Sequence, residues 1–209
     1  MNFYIWSGVI SLAANVTVGI FVLSRNPSDK RNRLFCLFSF LVSGWSVGSS
    51  LANMLSDQAL ALWILRLNYL CGMWVPSVYV HLAHSLNQDT PSKSLKRKIF
   101  YAASIIFSVL VLTPYLIAGL VPIRTTTFLI TKPGPAYHFF FAFFTICTGE
   151  VIFQILMGLR GKVGLEKKQF KYLAVANLLA IFAGFEYFLR TNYVFPDKCY
   201  QTALPLLQN

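Results

Sequence analysis

Six apolar segments, each long enough to cross a lipid bilayer as a helix, divide this 209-residue chain at about 2–24, 34–54, 62–85, 99–121, 136–159 and 172–194. The hydrocarbon core takes roughly 20 apolar residues of helix to span. Inside it, a helix is favoured because it satisfies its own backbone hydrogen bonds. A water-soluble helix would show a polar face at helical spacing, and these segments have almost none. With 56% hydrophobic and 12% charged residues, a soluble all-α core is a poor fit. The expected fold class is all-α: a polytopic transmembrane bundle of six helices, forming one domain over 1–209.

The net charge of +11 is sorted along the chain. Arg25, Lys30, Arg31 and Arg33 fill the first connection, and Lys93, Lys96, Arg97 and Lys98 the third. Arg160, Lys162, Lys167, Lys168 and Lys171 fill the fifth. Basic residues in alternate loops place those loops in the cytoplasm and the N-terminus outside. They also attract anionic headgroups, so the lipid bilayer is the expected partner. Nucleic acid is not, since no nucleic-acid-binding signature accompanies the charge. Residues 2–24 do not read as a signal peptide: no basic residue precedes the run, and Arg25 follows it. Four cysteines without a C-x-x-C spacing imply no redox or metal chemistry.

The connections are short. Asn87 to Lys98 and Pro122 to Pro135 carry turn residues and prolines. Neither is long enough to fold an extramembrane ligand-binding domain, so a signal has to be met in the membrane or at its surface. Aromatic residues mark the interfaces: Phe3, Tyr4 and Trp6, then Trp63, then Tyr137 with Phe139 to Phe141.

Polar residues at depth are the candidate functional groups. Ser39, Ser43, Ser46, Ser50 and Asn53 recur at steps of four and three, so they share one face of the second helix. That pattern suits close helix packing, with a wet ligand groove as the competing use. Ionisable residues in lipid are costly and mark function by default. Glu150 stands in the fifth helix, with Gln154 one turn on and Cys147 one turn back. Glu186 and Arg190 are four apart in the sixth, close enough to pair. Arg66, Ser77, His81 and His84 share a stripe of the third helix, Arg66 near the outer end and the histidines near the cytoplasmic end. Histidine titrates near neutrality, so these groups suit a polar pocket or a proton-sensitive relay. The candidate pocket or switch residues are Arg66, Glu150, Gln154, Glu186, Ser43 and Ser46. No nucleophile–base set, phosphate loop or three-ligand metal spacing is present, so no catalytic residue, cofactor or metal is expected.

Local signatures add a family resemblance. They are Gly44-Trp45-Ser46, Trp63-Ile64-Leu65-Arg66-Leu67 running through Pro76 towards His81, and Lys168-Gln169-Phe170-Lys171-Tyr172-Leu173. Ala183-Gly184-Phe185-Glu186-Tyr187-Phe188-Leu189 completes the set. With the order of helices and loops, the chain resembles the seven-helix N-terminal sensor region of bacterial membrane histidine kinases. Two departures stand out. Glu186 occupies a position that is often amide-like in that family. Only Phe195 to Asn209 remain where a seventh helix would run, so six crossings would leave the C-terminus outside.

The resemblance implies a sensory input module in the bacterial inner membrane. It carries neither a phosphoacceptor-histidine helix nor an ATP-binding domain, so it is expected to be no enzyme, and to be a truncated or separate input half. Its expected partners are a hydrophobic or membrane-borne signal and a kinase output domain or a second copy of itself. A small-solute transporter or channel is the main competing reading, and a lipid-modifying enzyme is a weaker one.

Overall fold

The computed structural model describes residues 2–87, 90–122, 129–164, 166–175 and 177–178, with backbone alone at 2–5, 122, 129 and 130. Residues 2–162 comprise five helices and one hairpin. These are α1 (Asn2–Arg25), α2 (Lys30–Ala52), α3 (Gln58–Leu86), α4 (Pro91–Val111), β1 (Ile117–Pro122), β2 (Leu129–Pro133) and α5 (Tyr137–Gly161). Four helices, α1, α2, α3 and α5, are long and apolar enough to cross a membrane. Their outward residues are large and apolar, among them Ile10, Phe21, Ile146 and Phe153, which suits a surface solvated by lipid tails. The molecule is a multi-pass membrane helical bundle.

α3 is the central helix: α2, α4, α5 and β1 all pack against it, and α1 packs on α2. Asp57 caps the start of α3 by accepting from the N–H groups of Ala59 and Leu60. Its interior Pro76 has no N–H to donate to the preceding turn. Small residues let the backbones approach. Gly44 faces Cys71, Gly48 faces Asn68, and Gly72 lies under the Trp45 ring. Between α3 and α4, Ser77 Oγ and Ser104 Oγ are 2.7 Å apart, and Ser104 donates to Met73 O at 2.8 Å. Aromatic rings fill the α4–α5 contact, where Phe107 lies 5.6 Å from Phe140 and 5.3 Å from Phe143.

The fourth helix differs from the expected 99–121. It begins at Pro91 because Thr90 accepts from Lys93 N–H and proline suits the first helical turn. The basic run therefore lies on helix, not in a loop. It ends at Val111, capped by Leu112, because Pro114 disfavours helical backbone at Thr113. The chain then turns into an antiparallel hairpin, with Ile117 opposite Pro133 and Pro122 opposite Leu129. Gly134 closes it, donating to Leu116 O at 2.8 Å. A Cβ there would collide with the carbonyl oxygens of Pro114 and Tyr115, so only glycine fits.

Beyond Gly164, which adopts a left-handed φ of 61°, residues 166–175 are helical. Glu186, Arg190 and most of the expected sixth helix lie outside the described residues.

Candidate functional site

Arg25, Lys30 to Arg33, Lys93 to Lys98, and Arg160 with Lys162 all stand at one end of the bundle, at or beside helix ends. The hairpin and the start of α3 stand at the other. His84 and Arg66 are eighteen residues apart on α3, a separation of about 27 Å at 1.5 Å per residue. The polar residues of α3 therefore belong to two separate sites.

At the basic end, a single carboxylate joins three helices. Glu150 Oε1, on α5, accepts from His84 Nε2 of α3 at 2.8 Å. It also accepts from Gln154 Nε2, one turn along α5, at 2.9 Å. Glu150 Oε2 accepts from Lys96 Nζ of α4 at 2.8 Å. Asn87, which ends α3, donates through Nδ2 to Gln154 O at 3.0 Å and to Gln154 Oε1 at 3.2 Å. The burial is graded: the His84 side chain is 0% exposed, Glu150 12% and Lys96 44%. One carboxylate oxygen thus meets the buried histidine and the other the half-exposed lysine, whose stem can snorkel. The His84 tautomer follows from its carboxylate partner, which needs Nε2–H, while Nδ1 is buried with no partner among the described residues. His81, one turn back, shares a 2.9 Å hydrogen bond with the Tyr101 hydroxyl of α4. The two histidine rings thus have different partners, and no metal-binding group occurs among the described residues.

At the hairpin end, Arg66 Nη2 donates to Ile117 O at 3.2 Å. Its guanidinium carbon lies 5.2 Å from the Trp63 ring centre. The Tyr69 hydroxyl and Thr131 Oγ1 share a 3.0 Å bond one turn further along. Ser43 and Ser46 join neither site. Ser43 is buried and donates to Ser39 O, and Ser46 accepts from Ser11 Oγ of α1 at 3.2 Å. The serine face of α2 is filled by α1, with Gly8 against Ser50 and Gly19 against Ser39.

Of the residues singled out in the sequence, the structure joins Glu150 with Gln154, and sets Arg66 apart under the hairpin. It brings His84, read from the sequence on the α3 stripe, to the same carboxylate, and adds Lys96 and Asn87 to the network. Lys96 went unassigned because the helix start was expected at Ile99. The Thr90-Pro91 pair is the signal for the earlier start, and it places Lys96 on a helix that can face Glu150.

A family model described as the N-terminal 7TM region of histidine kinase matches residues 8–198. No curated protein and no solved structure matches the chain. The family match takes in both polar sites, the hairpin and, from Gly8 onward, the five helices of residues 2–162. The chain belongs to the family of N-terminal 7TM regions of histidine kinases.

Proposed function

We propose that residues 1–209 act as one sensory domain in the bacterial inner membrane, the input of a signal-transduction histidine kinase. The observation that carries this reading, beyond family membership, is the Glu150 carboxylate joining α3, α4 and α5 through His84, Lys96 and Gln154. The positive-inside rule puts that end in the cytoplasm, where a kinase partner works. In this reading the network is a latch holding one of two helix packings. The α3–α4 contact around Ser77 and Ser104 has small side chains and suits a shift along the helix axes. A signal that binds one packing better than the other moves the populations in proportion to its differential affinity. The signal is hydrophobic or membrane-borne, and output passes to a kinase domain or through a second copy of the chain.

The test is a chimera joining this domain to a kinase output, read by a reporter gene. Glu150→Gln keeps the shape and removes the charge, and shifts basal signalling at unchanged membrane levels. Unchanged signalling at unchanged levels would remove Glu150 from the switch.

A further inference from the structure

Among the described residues, nothing balances the charge of Arg66. It is 8% exposed and sits about 12 Å along α3 from Gln58. Among the described residues it bonds the Ile117 carbonyl and lies by the Trp63 ring, while Nε is buried with no partner there. No carboxylate pairs with it among the described residues. An unpaired buried cation is unfavourable, and a neutral glutamine could donate to Ile117 O as well. Docking the hairpin does not explain the charge either, since Tyr69 and Thr131 join α3 to β2 one turn away. The neighbouring surface is apolar: Leu60, Trp63 and Leu67 form one stripe of α3 at steps of three and four, each about half exposed. That stripe is exposed, and its Trp63 ring is the member that lies against the guanidinium.

We propose that Arg66 is the receptor for the oxyanion head of an apolar-tailed amphiphile. The head takes the place of the Ile117 carbonyl and bonds Nη2 and Nε together as a fork, the geometry that carboxylates and phosphates favour on arginine. The tail lies along Leu60, Trp63 and Leu67. Release of Ile117 O frees β1 from α3, so the ligand exchanges a hairpin contact for its own. A free fatty acid and an anionic phospholipid carry the same chemistry.

The experiment uses the 209-residue chain in nanodiscs of zwitterionic phosphatidylcholine, with tryptophan emission as the readout and Trp63→Phe as its control. Palmitate and hexadecyl phosphate are expected to give a saturable change that hexadecanol does not, and that Trp63→Phe removes. Arg66→Gln is expected to weaken the apparent affinity by about tenfold or more, the loss of a charged hydrogen bond. Arg66→Lys retains the charge without the fork and falls between. If nanodiscs containing phosphatidylglycerol give the full change alone, the site stands with the bilayer as source; if palmitate is still needed, a free carboxylate is the source. Equal responses to hexadecanol and palmitate in the unaltered protein overturn the proposal, whether or not the variants fold. So does wild-type affinity in a folded Arg66→Gln. No kinase is involved in this readout, so its failure leaves the input reading standing.

Discussion

The Glu150 network makes a quantitative prediction, because its two charged contacts differ in burial at the same 2.8 Å distance. The perturbation is a pair of double-mutant cycles, Glu150→Gln with Lys96→Met and Glu150→Gln with His84→Phe. At 2.8 Å and an effective dielectric of about 20, two full charges attract by about 6 kcal/mol before any desolvation. The Lys96 side chain is 44% exposed and Glu150 12%, so this pair lies between an exposed one, worth about 0.2–1 kcal/mol, and a buried one, whose disruption costs about 3–5 kcal/mol. A coupling of about 1–2 kcal/mol is expected. The His84 contact is fully inside on the histidine side and is expected to give about 0.6–1.7 kcal/mol, as intramembrane hydrogen bonds do. Salt separates the two. Raising ionic strength from about 0.05 to 0.5 M shortens the Debye length to a few ångströms, and weakens the Lys96 coupling while leaving the His84 coupling in place. The assay is unfolding in mixed micelles with rising dodecyl sulfate fraction, followed by circular dichroism. Couplings below about 0.3 kcal/mol for both pairs would fall within ordinary additivity and refute the latch. Equal salt sensitivity would refute the graded-burial account.

Three further outcomes follow from the packing. A Cβ on Gly48 would lie 2.5 Å from Asn68 Cβ and Oδ1, so Gly48→Ala is expected to cost about 1–3 kcal/mol. Adding Asn68→Ala should recover most of that in the same unfolding assay. Ser104 is 0% exposed and bonded across the α3–α4 contact, so Ser104→Ala is expected to cost about 0.6–1.7 kcal/mol and Ser104→Leu about 1–3 kcal/mol by forcing α3 and α4 apart. Between α1 and α2, the Arg31 side chain and backbone N–H both bond to Asp29 and hold its carboxyl below the ordinary carboxylate value. A depressed carboxyl stabilises the fold above its unfolded value and loses that contribution as pH falls through the folded one. Hydrogen exchange at the first turn of α2 should therefore rise on acidification below the carboxylate range, and Asp29→Asn, which can still cap, should flatten that pH dependence.

Membrane class and helix existence were legible because they rest on length and hydrophobicity, which are local. That Ser39, Ser43, Ser46 and Ser50 share one face was legible for the same reason, since a period of three and four places side chains on one face whatever lies opposite. The ends of α4 were harder to read. Thr90, Pro91 and Pro114 all signal them, but a window of apolar residues outweighs single capping and breaking residues, so Ile117 to Val121 were expected as helix where the chain pairs as β1. Partnership was not legible at all. Glu150 was marked by its cost in lipid, yet its partners lie 66 residues away at His84 and 54 away at Lys96, and spacing along one helix carries no information about a neighbour.

The sequence by itself determined that this chain spans a membrane, which end is basic, where buried charge is unusual, and which family it resembles. These depend on the transfer energy of each residue and on local motifs. Only the tertiary structure decided that Glu150 ties three helices together, that α1 fills the serine face, and that Arg66 sits under a hairpin with no carboxylate partner among the described residues. The reason is physical: transfer into lipid acts on each side chain singly, whereas hydrogen bonds and ion pairs depend on which helices lie side by side.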